Sequence, residues 1–197
     1  MKTVYIIGGM GSGKSTVSRM LSSWGVPVVN LDDLGHDALA AEGVQTGLSQ
    51  AFGADVINCD GRVNRALLAT RAFATQQNTQ LLSSIVQPIV LNMLDALLSD
   101  YASQNADAVA IECSAFRSRD GEMLNMNDAV LAVCAPKEER IKRAEKIGWQ
   151  TSDVEHRIAQ QITDDERRAI ADFVIENDGS VEELQQKVLR WWAEFMK

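Results

Sequence analysis

Apolar positions along the chain follow two periods. Short, nearly unbroken runs occur at Val4-Tyr5-Ile6-Ile7, Val26-Pro27-Val28-Val29, Ala108-Val109-Ala110-Ile111-Glu112, Ala129-Val130-Leu131-Ala132-Val133-Cys134 and Asp172-Phe173-Val174-Ile175-Glu176-Asn177. Runs of this length, bounded by turn residues, predict five strands. Helical spacing appears between and after them. Val17, Met20, Leu21 and Trp24 mark a first helix that Gly25 should close. Val181, Leu184, Val188, Trp191 and Phe195 mark a terminal one. Strands alternating with helices predict an α/β fold, a five-stranded parallel sheet flanked by helices.

Residues 34–105 break the alternation, since they read as mostly helical between the second and third strands. Turns are expected at Glu42-Gly43 and Asn58-Cys59-Asp60-Gly61, and a short helix around Leu67, Leu68 and Phe73. Paired apolar residues then recur about once per turn: Leu81/Leu82, Ile85/Val86, Ile89/Val90, Met93/Leu94 and Leu97/Leu98. Pro88 interrupts them and predicts a kink, or two helices meeting near Gln87. The block is long for a simple crossover and suits a helical substrate-binding subdomain. After the fourth strand, Ala135-Pro136-Lys137 opens a charged helix bearing Arg140, Lys142, Arg143 and Lys146. A second helix from Thr151 carries His156, Arg157, Arg167 and Arg168. Most of these charges read as a solvated surface. A helical hairpin here also suits a closing lid over residues 137–169. The core then comprises residues 1–33, 106–136 and 170–197, and Cys113 to Asn127 reads as a polar loop.

With 197 residues, 46% of them hydrophobic, the chain can build one sizeable domain. Its net charge of −8 argues against nucleic acid or an anionic membrane as partner, so an anionic substrate must meet locally placed cations. Cys59, Cys113 and Cys134 are odd in number and widely spaced, which together with the lack of a secretory signal predicts reduced thiols and a cytoplasmic setting. No stretch reads as a membrane span, and a monomer or weak homo-oligomer is expected.

The chemistry concentrates after the first strand. Gly8-Gly9-Met10-Gly11-Ser12-Gly13-Lys14-Ser15-Thr16 fits a phosphate-binding loop, glycine, four residues, then Gly-Lys-Ser/Thr, in a strand–loop–helix context. Glycines let successive N–H groups point inward at an anion, and the helix N-terminus adds partial positive charge. Lys14 can neutralise the β- and γ-phosphates, and the Ser15 hydroxyl can bind Mg²⁺. Asp32 and Asp33 follow the second strand, where a parallel sheet places its ligands; the alternative is that they cap a helix from Leu34. Glu112 ends the third strand, where a carboxylate can support Mg²⁺ or be an ordinary polar strand end.

This order of parts resembles the dephospho-CoA kinase family along nearly the whole chain. The resemblance rests on the phosphate loop through Val17, on Gly25-Val26-Pro27-Val28-Val29-Asn30-Leu31-Asp32, and on Phe52-Gly53 through Asp60-Gly61 to Arg65. It continues through Ala135-Pro136-Lys137-Glu138-Glu139-Arg140-Ile141-Lys142-Arg143 and Arg157-Ile158-Ala159-Gln160-Gln161, and closes with Ala171-Asp172-Phe173-Val174-Ile175-Glu176-Asn177-Asp178-Gly179. It implies a phosphate-loop kinase that uses ATP and Mg²⁺ to phosphorylate the ribose 3′-hydroxyl of dephospho-CoA. Asp32, Lys14 and Arg143 would be catalytic. Gly9, Met10, Gly11, Ser12, Gly13, Lys14, Ser15, Thr16, Arg143, Asn177 and Gly179 would bind the nucleotide. Asp32, His36, Arg65 and Gln87 would face the acceptor, and Ser15 and Glu112 the metal. The chain departs from the family pattern at Asn30, His36, Gln87, Glu112, Ser114-Ala115-Phe116 and Asp164, mostly on the acceptor side or in the lid; Arg167 is the cation nearest the family's lid arginine. A sister kinase with another acceptor, or a nucleotide-binding protein without phosphotransfer, also fits these residues.

Overall fold

The expected strands form one sheet, β1 (Lys2–Ile7), β2 (Val28–Asn30), β3 (Ala108–Cys113), β4 (Ala129–Cys134) and β5 (Phe173–Glu176), in the order β2-β3-β1-β4-β5. All four pairings are parallel. The structure is a computed structural model describing residues 1–116, 118 and 129–197. The loop expected from Cys113 to Asn127 therefore lies largely outside the described residues.

The strand sequences explain their places. Every residue of β3 is buried, as are Val4 to Ile7 of β1 and Val130 to Cys134 of β4. Such strands need cover on both faces and take the middle of a parallel sheet. The short β2 and the partly exposed β5 take the edges. β1 lies between β3 and β4, so the chain leaves its carboxyl end where the sheet's connections diverge to either side. That is the position at which open α/β sheets bind ligands.

Two compact units make up the described chain: Met1–Asn30 with Tyr101–Lys197, and Leu31–Asp100. In the first, α1 (Lys14–Ser23) and α9 (Val181–Phe195) share a core with the sheet. Val17 and Leu21 meet Leu184, Val188, Trp191 and Phe195 over Val4, Ile6, Leu131, Val133 and Ile175. Gly25 closes α1 with φ +84°, as its position after Trp24 predicts. Ser180 and Glu183 form a capping box at the start of α9. Three further helices follow β4: α6 (Lys137–Lys146), α7 (Thr151–Ala159) and α8 (Asp164–Ile170). The expected second helix is therefore two. Thr163 accepts from the Glu166 N–H while Glu166 reaches back to the Thr163 N–H, so a new helix starts there and Arg167 falls in α8.

The second unit is helical, with α2 (Leu31–Ala38), α3 (Glu42–Phe52), α4 (Arg65–Ala72) and α5 (Gln76–Ser103). Its core is Val44, Leu48, Phe52, Val56, Leu68 and Ala72, against which Leu82, Ile85, Val86 and Ile89 pack. Three local expectations change. Glu42-Gly43 begins α3 rather than forming a turn, Asp32 and Asp33 lie in the first turn of α2 rather than before it, and α5 is one helix containing Pro88. Pro88 has no N–H for the Ser84 carbonyl, but Ile85, Val86 and Ile89 on either side pack on the same cluster, which holds the helix through the defect. By length and a mean hydropathy of 1.7 alone, α5 would also be long and apolar enough to cross a membrane.

Candidate nucleotide and phosphate site

The loop from Gly8 to Gly13 runs directly into α1, whose first residue is Lys14. Gly11 and Gly13 have φ of +74° and +100°, a region that L side chains rarely adopt. Packing excludes side chains here as well. A Cβ on Gly9 would fall 2.0 Å from the Arg140 guanidinium, and one on Gly13 would fall 2.2 Å from Asn177 Nδ2. The glycines thus fit the loop closely to its neighbours.

Those neighbours grip its backbone. Asn177, just past β5, donates from Nδ2 to the Ser12 carbonyl at 2.7 Å, while its own N–H donates to the Cys134 carbonyl. Arg143 donates from Nη2 to the Asn177 carbonyl at 2.9 Å and approaches the Gly11 and Ser12 carbonyls at 3.5 and 3.4 Å. Arg140 donates from Nε to the Met10 carbonyl at 2.8 Å. The Met10 N–H donates to Gln161 Oε1 at 2.9 Å. Arg140 is 5% exposed and Arg167 2%, so neither belongs to the solvated surface expected of them. Both meet Asp164: Arg167 at 2.6 Å and Arg140 at 3.6 Å, while the other carboxylate oxygen accepts from the Ala135 N–H. Arg167 is thereby committed to an internal ion pair. Burial pulls the Arg140 pKa down and the Asp164 charge pulls it back up. Arg140 was hidden among the charges of α6, but its spacing of four from Ala144, the other buried residue of that helix, marks an inward face. Spacing alone did not single out Gln161 or Asp164; the resemblance named Gln161 within a matching segment and Asp164 as a departure in the lid.

At the start of α1 the Ser15 hydroxyl donates to Glu112 Oε1 at 2.5 Å, and Lys14 Nζ lies 3.8 Å from the same oxygen. The parallel register aligns Glu112 with Ile6, one residue from the end of β1, and with Asn30, the last residue of β2. A hydroxyl and a carboxylate suit a hard cation that takes most of its oxygens from phosphate and water. Among the described residues no three or more His, Cys, Asp or Glu side chains form a metal-holding cluster.

A hollow of about 630 Å³ opens over the loop and is bordered by Gly9, Met10, Gly11, Gly13, Lys14, Ser15, Thr16, Asn177 and Gly179. Lys14, Arg19, Lys142, Arg143 and Lys146 also line it, against the single carboxylate Glu139. In a chain of net charge −8 this is a local cationic site suited to a polyphosphate. A second hollow of about 550 Å³ carries Glu155, Asp164, Glu176 and Asp178 together with Lys137, Arg140 and Arg168, so its charges are mixed.

The residues expected to face the acceptor lie in the helical unit, Leu31–Asp100. Asp32 is exposed on the first turn of α2. The structure brings His36 and Arg65 together, with Arg65 Nη2 2.7 Å from His36 Nε2. Arg65 can only donate, so Nε2 accepts and the ring proton sits on Nδ1. Gln87 is half-buried on α5.

The dephospho-CoA kinase family model matches residues 2–183. A dephospho-CoA kinase of Dehalococcoides mccartyi is 35% identical over 189 residues, covering 95% of this chain and 94% of that protein. Among solved structures, the protein TT1252 of Thermus thermophilus superposes with a TM-score of 0.81 at 31% identity, covering 98% of this chain and 97% of that one. A dephospho-CoA kinase of Campylobacter jejuni shares the fold, with a TM-score of 0.64 at 19% identity and coverage of 98% and 97%. A match of this extent over both sequence and fold decides the assignment: the chain belongs to the dephospho-CoA kinase family.

Proposed function

We infer that the protein catalyses the final step of coenzyme A synthesis, transfer of the γ-phosphoryl of ATP to the ribose 3′-hydroxyl of dephospho-CoA. The family match along the chain carries this reading, and the cation-lined hollow over the phosphate loop supports the nucleotide half of it. In the step the bond from the γ-phosphorus to its bridging oxygen breaks with ADP as leaving group, a bond to the 3′-oxygen forms, and the hydroxyl proton passes late to the Asp32 carboxylate and from there to solvent. Alignment and charge stabilisation supply most of the catalysis in such reactions.

The roles of individual residues are our proposal. Lys14 and the loop amides hold the β- and γ-phosphates, supported by the arrangement of Gly11, Gly13 and Lys14 at the start of α1. Mg²⁺, when bound, neutralises charge on the phosphates, with Ser15 and Glu112 on the protein side. Arg143 offsets charge on the transferring group while tying the loop to Asn177. Asp32 aims the acceptor hydroxyl; it stands two residues beyond Asn30, whose register partner in β3 is Glu112. His36, Arg65 and Gln87 contact the acceptor, and residues 137–169 act as the lid. A cytoplasmic enzyme, monomeric or weakly self-associating and without nucleic-acid or membrane partners, accords with the net charge.

Mass spectrometry of the reaction tests the assignment. Dephospho-CoA should gain one phosphoryl group in the presence of ATP, and its 3′-deoxyribose analogue none. Phosphorylation of the 3′-deoxy analogue would place the product elsewhere and refute the proposed acceptor atom.

A further inference from the structure

We propose that Arg140 and Gln161 are positioning residues for the phosphate loop, acting on the nucleotide through Met10. Between them they engage both backbone polar groups of that residue. Arg140 Nε donates to the Met10 carbonyl at 2.8 Å, and Gln161 Oε1 accepts the Met10 N–H at 2.9 Å. The same Gln161 oxygen accepts from Arg140 Nη2 at 3.3 Å, which closes the three groups into one network. Both of its partners are donors, so only the oxygen of the Gln161 amide fits there.

The contacts are directional. Arg140 is 5% exposed, and a buried guanidinium needs its hydrogen bonds satisfied. Its carboxylate partner Asp164 stands at 3.6 Å and is held more closely by Arg167 at 2.6 Å. The shortest bond from Arg140 goes to the loop. The fit extends to the glycines on either side of Met10: a Cβ on Gly9 would strike the Arg140 guanidinium and one on Gly11 the Arg140 carbonyl, 2.3 Å away. Gly9-Met10-Gly11 is therefore shaped to this arginine.

The two grips come from residues 21 apart in sequence, Arg140 in α6 and Gln161 just after α7. The segment between them carries Arg143, Lys146 and Arg157. This inference rests on the loop binding the nucleotide's phosphates.

The test compares Gln161→Met, similar in size but without the acceptor, with Gln161→Glu, which keeps an oxygen toward Met10 and Arg140. In Gln161→Met, amide exchange in a peptide spanning residues 8–13 should accelerate, and the KM for ATP should rise about tenfold. The KM for dephospho-CoA should stay within about twofold of wild type, and the melting temperature should fall by only about 2–4 °C. Gln161→Glu should restore slow exchange and bring the KM for ATP back to within about threefold of wild type. Unchanged exchange or ATP KM in Gln161→Met, no rescue by Gln161→Glu, or a parallel rise in both KM values would overturn the proposal. Were the wild type to phosphorylate no acceptor, exchange together with calorimetric binding of a non-hydrolysable ATP analogue would still decide it, so the two readings fail separately.

Discussion

Glu112→Gln isolates the carboxylate that the metal assignment depends on, with little change in shape. Glu112 is buried at 6% exposure, accepts the Ser15 hydroxyl at 2.5 Å and lies 3.8 Å from Lys14 Nζ. A hydrogen bond to a charged group contributes about 1.5–3 kcal/mol and a neutral one roughly half that, so the amide forfeits about 1–1.5 kcal/mol in orienting Ser15. Loss of the carboxylate's negative charge beside the cation adds to this. Removing a partner of this kind lowers metal affinity by about 10- to 100-fold, or about 1.4–2.7 kcal/mol, whose lower end meets the hydrogen-bond figure. The assay follows ADP release against Mg²⁺ concentration at fixed ATP and dephospho-CoA. The half-saturating Mg²⁺ concentration should rise by about tenfold or more, with much of kcat recovered in excess Mg²⁺. If kcat falls while the Mg²⁺ dependence stays at its wild-type position, Glu112 serves only Lys14 and the fold, and its metal role is wrong.

Three further outcomes follow from the same structure. Asp32→Asn should leave ATP affinity near wild type by calorimetry while lowering kcat by on the order of a hundredfold or more, and near-normal turnover would remove its role. Cys134 is buried and its thiol is pushed up to about 11, chiefly by burial, and Cys113 is buried too, whereas Cys59 is exposed. An alkylating reagent at pH 8 should therefore label Cys59 rapidly and the other two only after unfolding, as counted by mass spectrometry; fast labelling of two thiols in the native protein would contradict the burial. The Asp55 carboxyl is held below its ordinary 3.8, chiefly by a hydrogen bond from Arg71, whose two nitrogens reach the carboxylate at 2.6 and 2.7 Å. A depressed pKa stabilises the folded state above the unfolded value, and that contribution is lost as pH falls through the folded value. Thermal melts should thus show Asp55→Asn less stable than wild type at pH 7 and the difference shrinking as the pH falls below the ordinary 3.8; a difference that persists undiminished into acid would refute the linkage.

The strands and the phosphate loop were legible because each is fixed by local chemistry. Short apolar runs bounded by turn residues are too brief for a buried helix and read as buried strands, and Gly13-Lys14-Ser15 must open a helix to present its amides. The clamp around the loop was not legible. Arg140 and Arg167 look like surface charges until the fold places Asp164 beside both. Gln161 gains its meaning from Met10, 151 residues away, and from Arg140. Periodicity records which face of a helix is apolar, but α6 has a single apolar residue, Ala144, on its buried face, so the arginine sharing that face left almost no signal. Pro88 did not split the helix: its local cost is real, and packing on either side by residues of the helical unit carries the helix through it.

The most direct test of the account is ADP release by the purified protein with MgATP, measured with and without dephospho-CoA and repeated with Lys14→Ala. The account predicts ADP formation that depends on dephospho-CoA and collapses in the Lys14→Ala variant together with ATP affinity. Equal ADP release with and without dephospho-CoA, or a Lys14→Ala variant that turns over like wild type, would contradict it.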